Sequence, residues 1–239
     1  NIPIKGTIRD AELKNIIEKG YISFYSNYLT GTNWRYICTY YLLDESFLRQ
    51  YQDVINWQAI SRYQQLSEEF IREFNHLVDW HEISDRQQLS EDFIREFQNK
   101  VIWFNICILS YFDYKFIKEF KNKINWIIYS ANPHFNHECI EEFQDMIEWT
   151  ELTRYCMLSE EEIEKFQNKV DWKNICIYQK LSEQFIRKFS HLVSWTDICI
   201  YQKLSHAFIR EFKDYVIWNL VIKHQQVDDN FKGEFFEKI

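Results

Sequence analysis

Nine tryptophans stand at Trp34, Trp57, Trp80, Trp103, Trp126, Trp149, Trp172, Trp195 and Trp218, each 23 residues from the next. No tryptophan lies outside the series. A fixed period of a few tens of residues marks a repeat array, whose units bury their apolar faces only against neighbouring units. This overrides the one or two ordinary domains that 239 residues would otherwise imply.

Eight full units start at the tryptophans from Trp34 to Trp195, and a ninth, 218–239, is one residue short. With the tryptophan as position 0, the second unit carries Ile60, Leu66, Phe70, Ile71, Phe74 and Val78 at positions 3, 9, 13, 14, 17 and 21. Spacings of three and four are helical, and strand-like alternation is absent. Helix-capping residues recur at position 10: Ser67, Ser90, Ser159, Ser182 and Ser205, with Asp44, Asp113 and Asp228. A second capping set precedes the tryptophan, at Asn33, Asn56, Asp79, Asn125, Asp171 and Ser194. The pattern predicts a helix A over positions 0–7 and a slightly longer helix B over 11–19. Helices this short are unstable alone, so stacking must hold them. Trp57, Trp80, Trp103, Trp126, Trp149, Trp172 and Trp195 are expected to be structural core residues on the face shared with positions 3, 4 and 7. The expected fold is an all-α solenoid of 23-residue helix-turn-helix repeats, 34–239, behind an N-terminal cap, 1–33. In the cap, Thr7 would start a helix from Ile8 to Lys19 that Gly20 stops, and Thr30 to Asn33 reads as a loop.

Composition removes several function classes. An aromatic fraction of 18% can offset chain ordering, so disorder is not expected. A net charge of −8 argues against binding nucleic acid or anionic membrane. No apolar stretch approaches the ~20 residues of a membrane span. No secretory signal opens the chain, which starts at Asn1 without Met and leaves room for a native start upstream. Of the six cysteines, Cys38, Cys107, Cys176 and Cys199 share position 4, and no CxxC pair exists. They read as small buried residues of a reducing compartment.

Candidate sites lie where the repeat fails. Position 13 is Phe in seven units but Cys139 and Glu162 in units 5 and 6. Position 15 is basic at Arg49, Arg72, Arg95 and Lys118 but Glu141 and Glu164 in the same two units. Pro133 would truncate or bend the fifth helix A. These departures read either as drift, with Glu162 tilted to solvent, or as a kink or docking site. Phe104, Ile108, Ile127 and Ile128 fall opposite the core face of helix A and read as a contact patch or as inner packing. His134, His137, Glu138 and Cys139 lie close enough to hold zinc with Cys156, but no second regular pair accompanies them. Neither metal nor cofactor is expected. The serines read as caps, and no glycine-rich elbow or phosphate loop is present, so no catalytic residue is assigned. The position-15 cations alternate with Glu73, Glu96 and Glu119 and read as a solvated mixed-charge face.

The run Leu-Ser-Glu-x-Phe-Ile-Arg-Glu-Phe followed by Val-x-Trp-x-x-Ile, as in Leu66 to Ile83 and Leu89 to Ile106, resembles tandem repeats of giant DNA viruses of the mimivirus and marseillevirus kind. The resemblance covers about 34–239 and fades in units 4–6. It implies a viral origin and a location in the host cytoplasm or virion, and it carries no catalytic residues. The expected role is a non-enzymatic scaffold for a protein partner. The alternative is a structural virion or assembly component that self-associates through the apolar patch of units 4–5.

Overall fold

The computed structural model describes residues 10–235, which are helical and contain no strand. It is an α-solenoid architecture of 23-residue helix-turn-helix repeats. Helix A runs over positions 0–6, as in Trp57–Tyr63, Trp172–Tyr178 and Trp195–Tyr201. Helix B runs over positions 11–16, as in Glu68–Glu73, Glu183–Lys188 and His206–Glu211.

The caps decide these boundaries. Ser67, Ser90, Ser159, Ser182 and Ser205, and likewise Asp44, Asp113 and Asp228, each accept the backbone N–H three residues on. Asn56, Asp79, Asn125, Asp171 and Ser194 do the same for helix A. Such bonds satisfy donors that a helix start leaves unpaired.

Helix B is shorter than its sequence pattern indicates, not longer than helix A. It stops at the position-17 Phe, whose carbonyl accepts the N–H groups of positions 20 and 21: Phe74 takes Leu77 at 2.9 Å and Val78 at 3.1 Å. The apolar spacing continues through this turn, which is why the pattern overruns the helix. Thr30 to Asn33 is a second correction. The helix here is Gly31–Tyr40, three residues earlier than its equivalents, because Thr30 and Asn33 form a reciprocal capping box. Asn33 thus lies inside the helix instead of capping it. Further back, Asp10–Glu18 is helical and Gly20, at φ +69°, turns the chain out of it. Thr7 and Ile8 lie outside the described residues.

The chain divides into two compact units, 1–106 and 107–239, with the boundary inside the helix Trp103–Leu109 of the fourth repeat. In the first, the helices Gly31–Tyr40, Trp57–Tyr63 and Trp80–Arg86 pack in series. In the second, Trp126–Ser130, Trp149–Tyr155, Trp172–Tyr178, Trp195–Tyr201 and Trp218–His224 do so. The core of the regular repeats comes from positions 3, 13 and 14, for example Ile60, Phe70 and Ile71, or Ile198, Phe208 and Ile209, all fully buried.

The tryptophans are not core residues throughout. Trp34 and Trp218 are buried, whereas the seven from Trp57 to Trp195 are half-buried. Each ring lies against phenylalanine of its own repeat: Trp195 is 6.3 Å from Phe208 and 4.9 Å from Phe212. Its indole N–H donates to the carbonyl of position 18 in the preceding repeat, as Trp80 to Asn75 and Trp172 to Gln167. That carbonyl sits just past the end of helix B, so the indole N–H supplies a missing donor. A ring with one wet edge and one apolar face suits this half-buried position.

Candidate interaction surface

The polar groups between repeats form ladders, and these ladders leave only certain side chains free. The inner ladder is glutamine at position 7. Gln202 donates to the carbonyls of Cys176 and Gln179, both at 2.8 Å, and accepts the N–H of Leu181 at 3.1 Å. Gln179 and Gln225 repeat this pattern in the second unit, as do Gln64 and Gln87 in the first. The carbonyls it reaches belong to the end of the previous helix A, where no intrahelical donor remains. Beside it, position 4 accepts the N–H that precedes the next tryptophan. Ser61 takes Asp79 at 2.9 Å, and the Cys176 sulfur takes Ser194 at 3.4 Å.

The position-4 cysteines are therefore stand-ins for serine. All six cysteines are free and buried. Burial pushes the thiols of Cys107, Cys156 and Cys176 up to about 11 and that of Cys139 to about 12. They are thiols at neutral pH, and thiolate is the reactive form.

Outside, position 11 of one repeat accepts the position-10 N–H of the next: Glu45 from Ser67 at 2.7 Å and Glu183 from Ser205 at 2.5 Å. Position 15 pairs with position 16 of the next repeat, as Arg49 with Glu73 at 2.8 Å and Arg187 with Glu211 at 2.7 Å.

These ladders account for the irregular repeats. Glu141 pairs with Lys165, and Glu164 pairs with Lys188, so units 5 and 6 hold the same pair with its charges exchanged. Glu162 is half-buried and not tilted free to solvent. It accepts the N–H of Ser159 at 2.7 Å and the ring N–H of His137 at 2.7 Å. His137 occupies position 11, so the usual carboxylate for Ser159 is missing, and Glu162 supplies it from within the repeat. Burial pushes the Glu162 carboxyl up, but the Ser159 N–H and His137 together outweigh it and hold it below the usual range. Pro133 shortens its helix A to Trp126–Ser130, as its missing N–H requires. Asn132 then does the work of the absent glutamine, donating to the carbonyls of Cys107 at 3.0 Å and Ser110 at 2.8 Å.

Among the described residues, no three His, Cys, Asp or Glu side chains converge on a metal position. The Cys139 thiol donates to the Asn136 carbonyl and the Cys156 thiol to that of Asn132. Phe104, Ile108 and Ile127 are exposed and Ile128 is half-buried. Phe104 belongs to the first compact unit and the other three to the second, so they are not a patch of one unit. Among the described residues, no helix is long and apolar enough to cross a membrane.

Except at Asn132 of the fifth repeat, the ladders do not use position 6. It carries Tyr40 and Tyr63 in the first unit and Tyr155, Tyr178 and Tyr201 in the second, all exposed. These tyrosines recur at the repeat period, a signal present in the sequence but hidden beside the tryptophans. In the second unit they stand on three consecutive helices A that pack in series. A cavity of about 350 Å³ opens at the end of this row, lined by Tyr201, Lys203, Leu204 and His224. No family model, curated protein or solved structure matches the chain.

Proposed function

We propose that the protein is a non-enzymatic scaffold that binds a protein partner along helix A. The carrying observation is the row Tyr155, Tyr178 and Tyr201, repeated on stacked helices and exposed, while the recurrent polar positions 4, 7, 11, 15 and 16 are used between repeats. Exposed tyrosine offers rigid amphipathic area at low entropic cost, which favours protein contacts. The resemblance to giant-virus tandem repeats supports a setting in the host cytoplasm or virion. A photo-crosslinking phenylalanine in place of Tyr178 tests the role. It should capture one defined protein that also binds the purified chain, and Tyr155→Ala, Tyr178→Ala and Tyr201→Ala together should abolish that binding. Equal capture from position 187, on the ion-pair face, would sink the proposal.

A second proposal is a structural component that self-associates, favoured by the exposure of Ile127 in repeat 5. It requires a mass that rises with concentration in light scattering and falls back on Ile127→Asp.

A further inference from the structure

Charges around the tyrosine row narrow the partner. In the first unit, Arg62 lies beside Tyr63 and pairs with Glu82 of the next repeat at 3.3 Å. Arg154 is its equivalent in the second unit, at position 5 beside Tyr155. The residue equivalent to Glu82 is there Asn174, which donates to the Thr150 carbonyl at 3.0 Å. With amide in place of carboxylate, Arg154 is exposed like Arg62 but, among the described residues, lacks its ion pair. Lys180, Lys203 and Lys223 continue on the following repeats and are exposed as well. Among the described residues, none of these four cations has an ion-pair partner, although the chain carries a net charge of −8 and its position-15 and position-16 cations are paired. The nearby carboxylates Glu160 and Glu183 are occupied by the N–H and hydroxyl groups of Ser182 and Ser205. Glu151 and Asp197 lie one turn back, in the first turn of their helices, where the helix dipole favours them.

We propose that this row in the second unit binds an extended acidic peptide segment, an inference that rests on the scaffold role and names its partner class. Stacked helices lie about 8–10 Å apart, which one three-residue turn of an extended polyproline II chain spans at ~3.1 Å per residue, with every third side chain on the same face. A carboxylate at every third residue would thus meet one cation per repeat. The Arg154 guanidinium sits 5.2 Å from the Tyr155 ring and 5.8 Å from the Tyr178 ring. Held there by cation–π attraction, it keeps its N–H edge available for a carboxylate. The same placement covers tyrosine faces that nucleobases would need for stacking, so a peptide is favoured over a nucleic acid.

Fluorescence anisotropy on the full chain tests this with a 15-residue peptide carrying glutamate at every third position. Binding should be at least tenfold tighter than for the peptide with glutamine at those positions, and should weaken with salt. Arg154→Ala, Tyr178→Ala and Asn174→Glu should each weaken it about fivefold or more, with circular dichroism and Tm unchanged. Asn174→Glu is decisive because it removes no cation and supplies an internal carboxylate. Equal affinity for the glutamine peptide, tighter binding of oligouridine of the same charge, or an unaffected Asn174→Glu variant would overturn the proposal. Crosslinking from position 178 to a neutral or basic segment of a partner would keep the scaffold role and overturn this inference.

Discussion

Gln202 shows how one side chain can join two repeats. Its amide fills three backbone valences of the neighbouring repeat at once while buried. Gln202→Leu keeps much of the volume but strands two carbonyls and an N–H. Each unpaired buried group costs about 1–3 kcal/mol, so a total near 3 kcal/mol is expected. Urea denaturation should show the unfolding free energy falling by that amount, and a change below about 1 kcal/mol would mean water replaces the amide freely. Glu162 makes a pH-dependent contribution. Its folded pKa is held below the unfolded value of about 4.3, so its stabilisation is complete above that value. The contribution drains as pH falls through the lowered folded value. Glu162→Gln can keep the capping box but loses the charge opposite His137. The variant should melt below the parent protein at pH 7, and the gap should close as both are taken below about pH 4.

At the scale of the element, helices of six or seven residues persist only because both ends are tied and the inward face is packed. Ser182 caps the helix Glu183–Lys188 by accepting the Phe185 N–H at 3.1 Å, and its own hydroxyl donates to Glu160 at 3.0 Å. Ser182→Ala should lower stability by about 1 kcal/mol, with Ser182→Asp recovering most of it as a cap. An Asp variant no better than Ala would show that the Glu160 contact, which Asp would repel, is the larger part. The capping pattern was readable in advance because Ser and Asp at a helix start act within three residues. The end of helix B was not, because Phe74 continues the apolar spacing while its carbonyl closes a turn.

For the whole molecule, the bonds between repeats run at fixed sequence offsets, so the register is a property of the array. Removing residues 195–217 takes out one repeat and brings Arg187 into register with Glu234, and Gln225 with the carbonyls of Cys176 and Gln179. That deletion should remain helical and cooperative, with helical ellipticity per residue preserved. Removing 195–213 breaks every offset downstream and should lose the helices after Ser194. If both deletions fold equally well, the inter-repeat ladders do not set the register.

The 23-residue interval, the capping residues and the Phe-Ile-Phe face were enough to determine the repeat, the helix class and the side of each helix that faces inward. These depend on chemistry within a few residues along the chain. Only the tertiary structure decided that the tryptophans stop half-way out, that Gln forms the innermost polar ladder, and that Glu141 and Glu164 sit in exchanged ion pairs. The glutamine ladder and the exchanged ion pairs depend on partners more than 20 residues away, and the indole on a carbonyl five residues back across the repeat boundary, all brought within hydrogen-bond distance by folding. The bare tyrosine row follows from the same cause: a surface is defined by what the ladders leave unused, and the ladders exist only once the repeats are stacked.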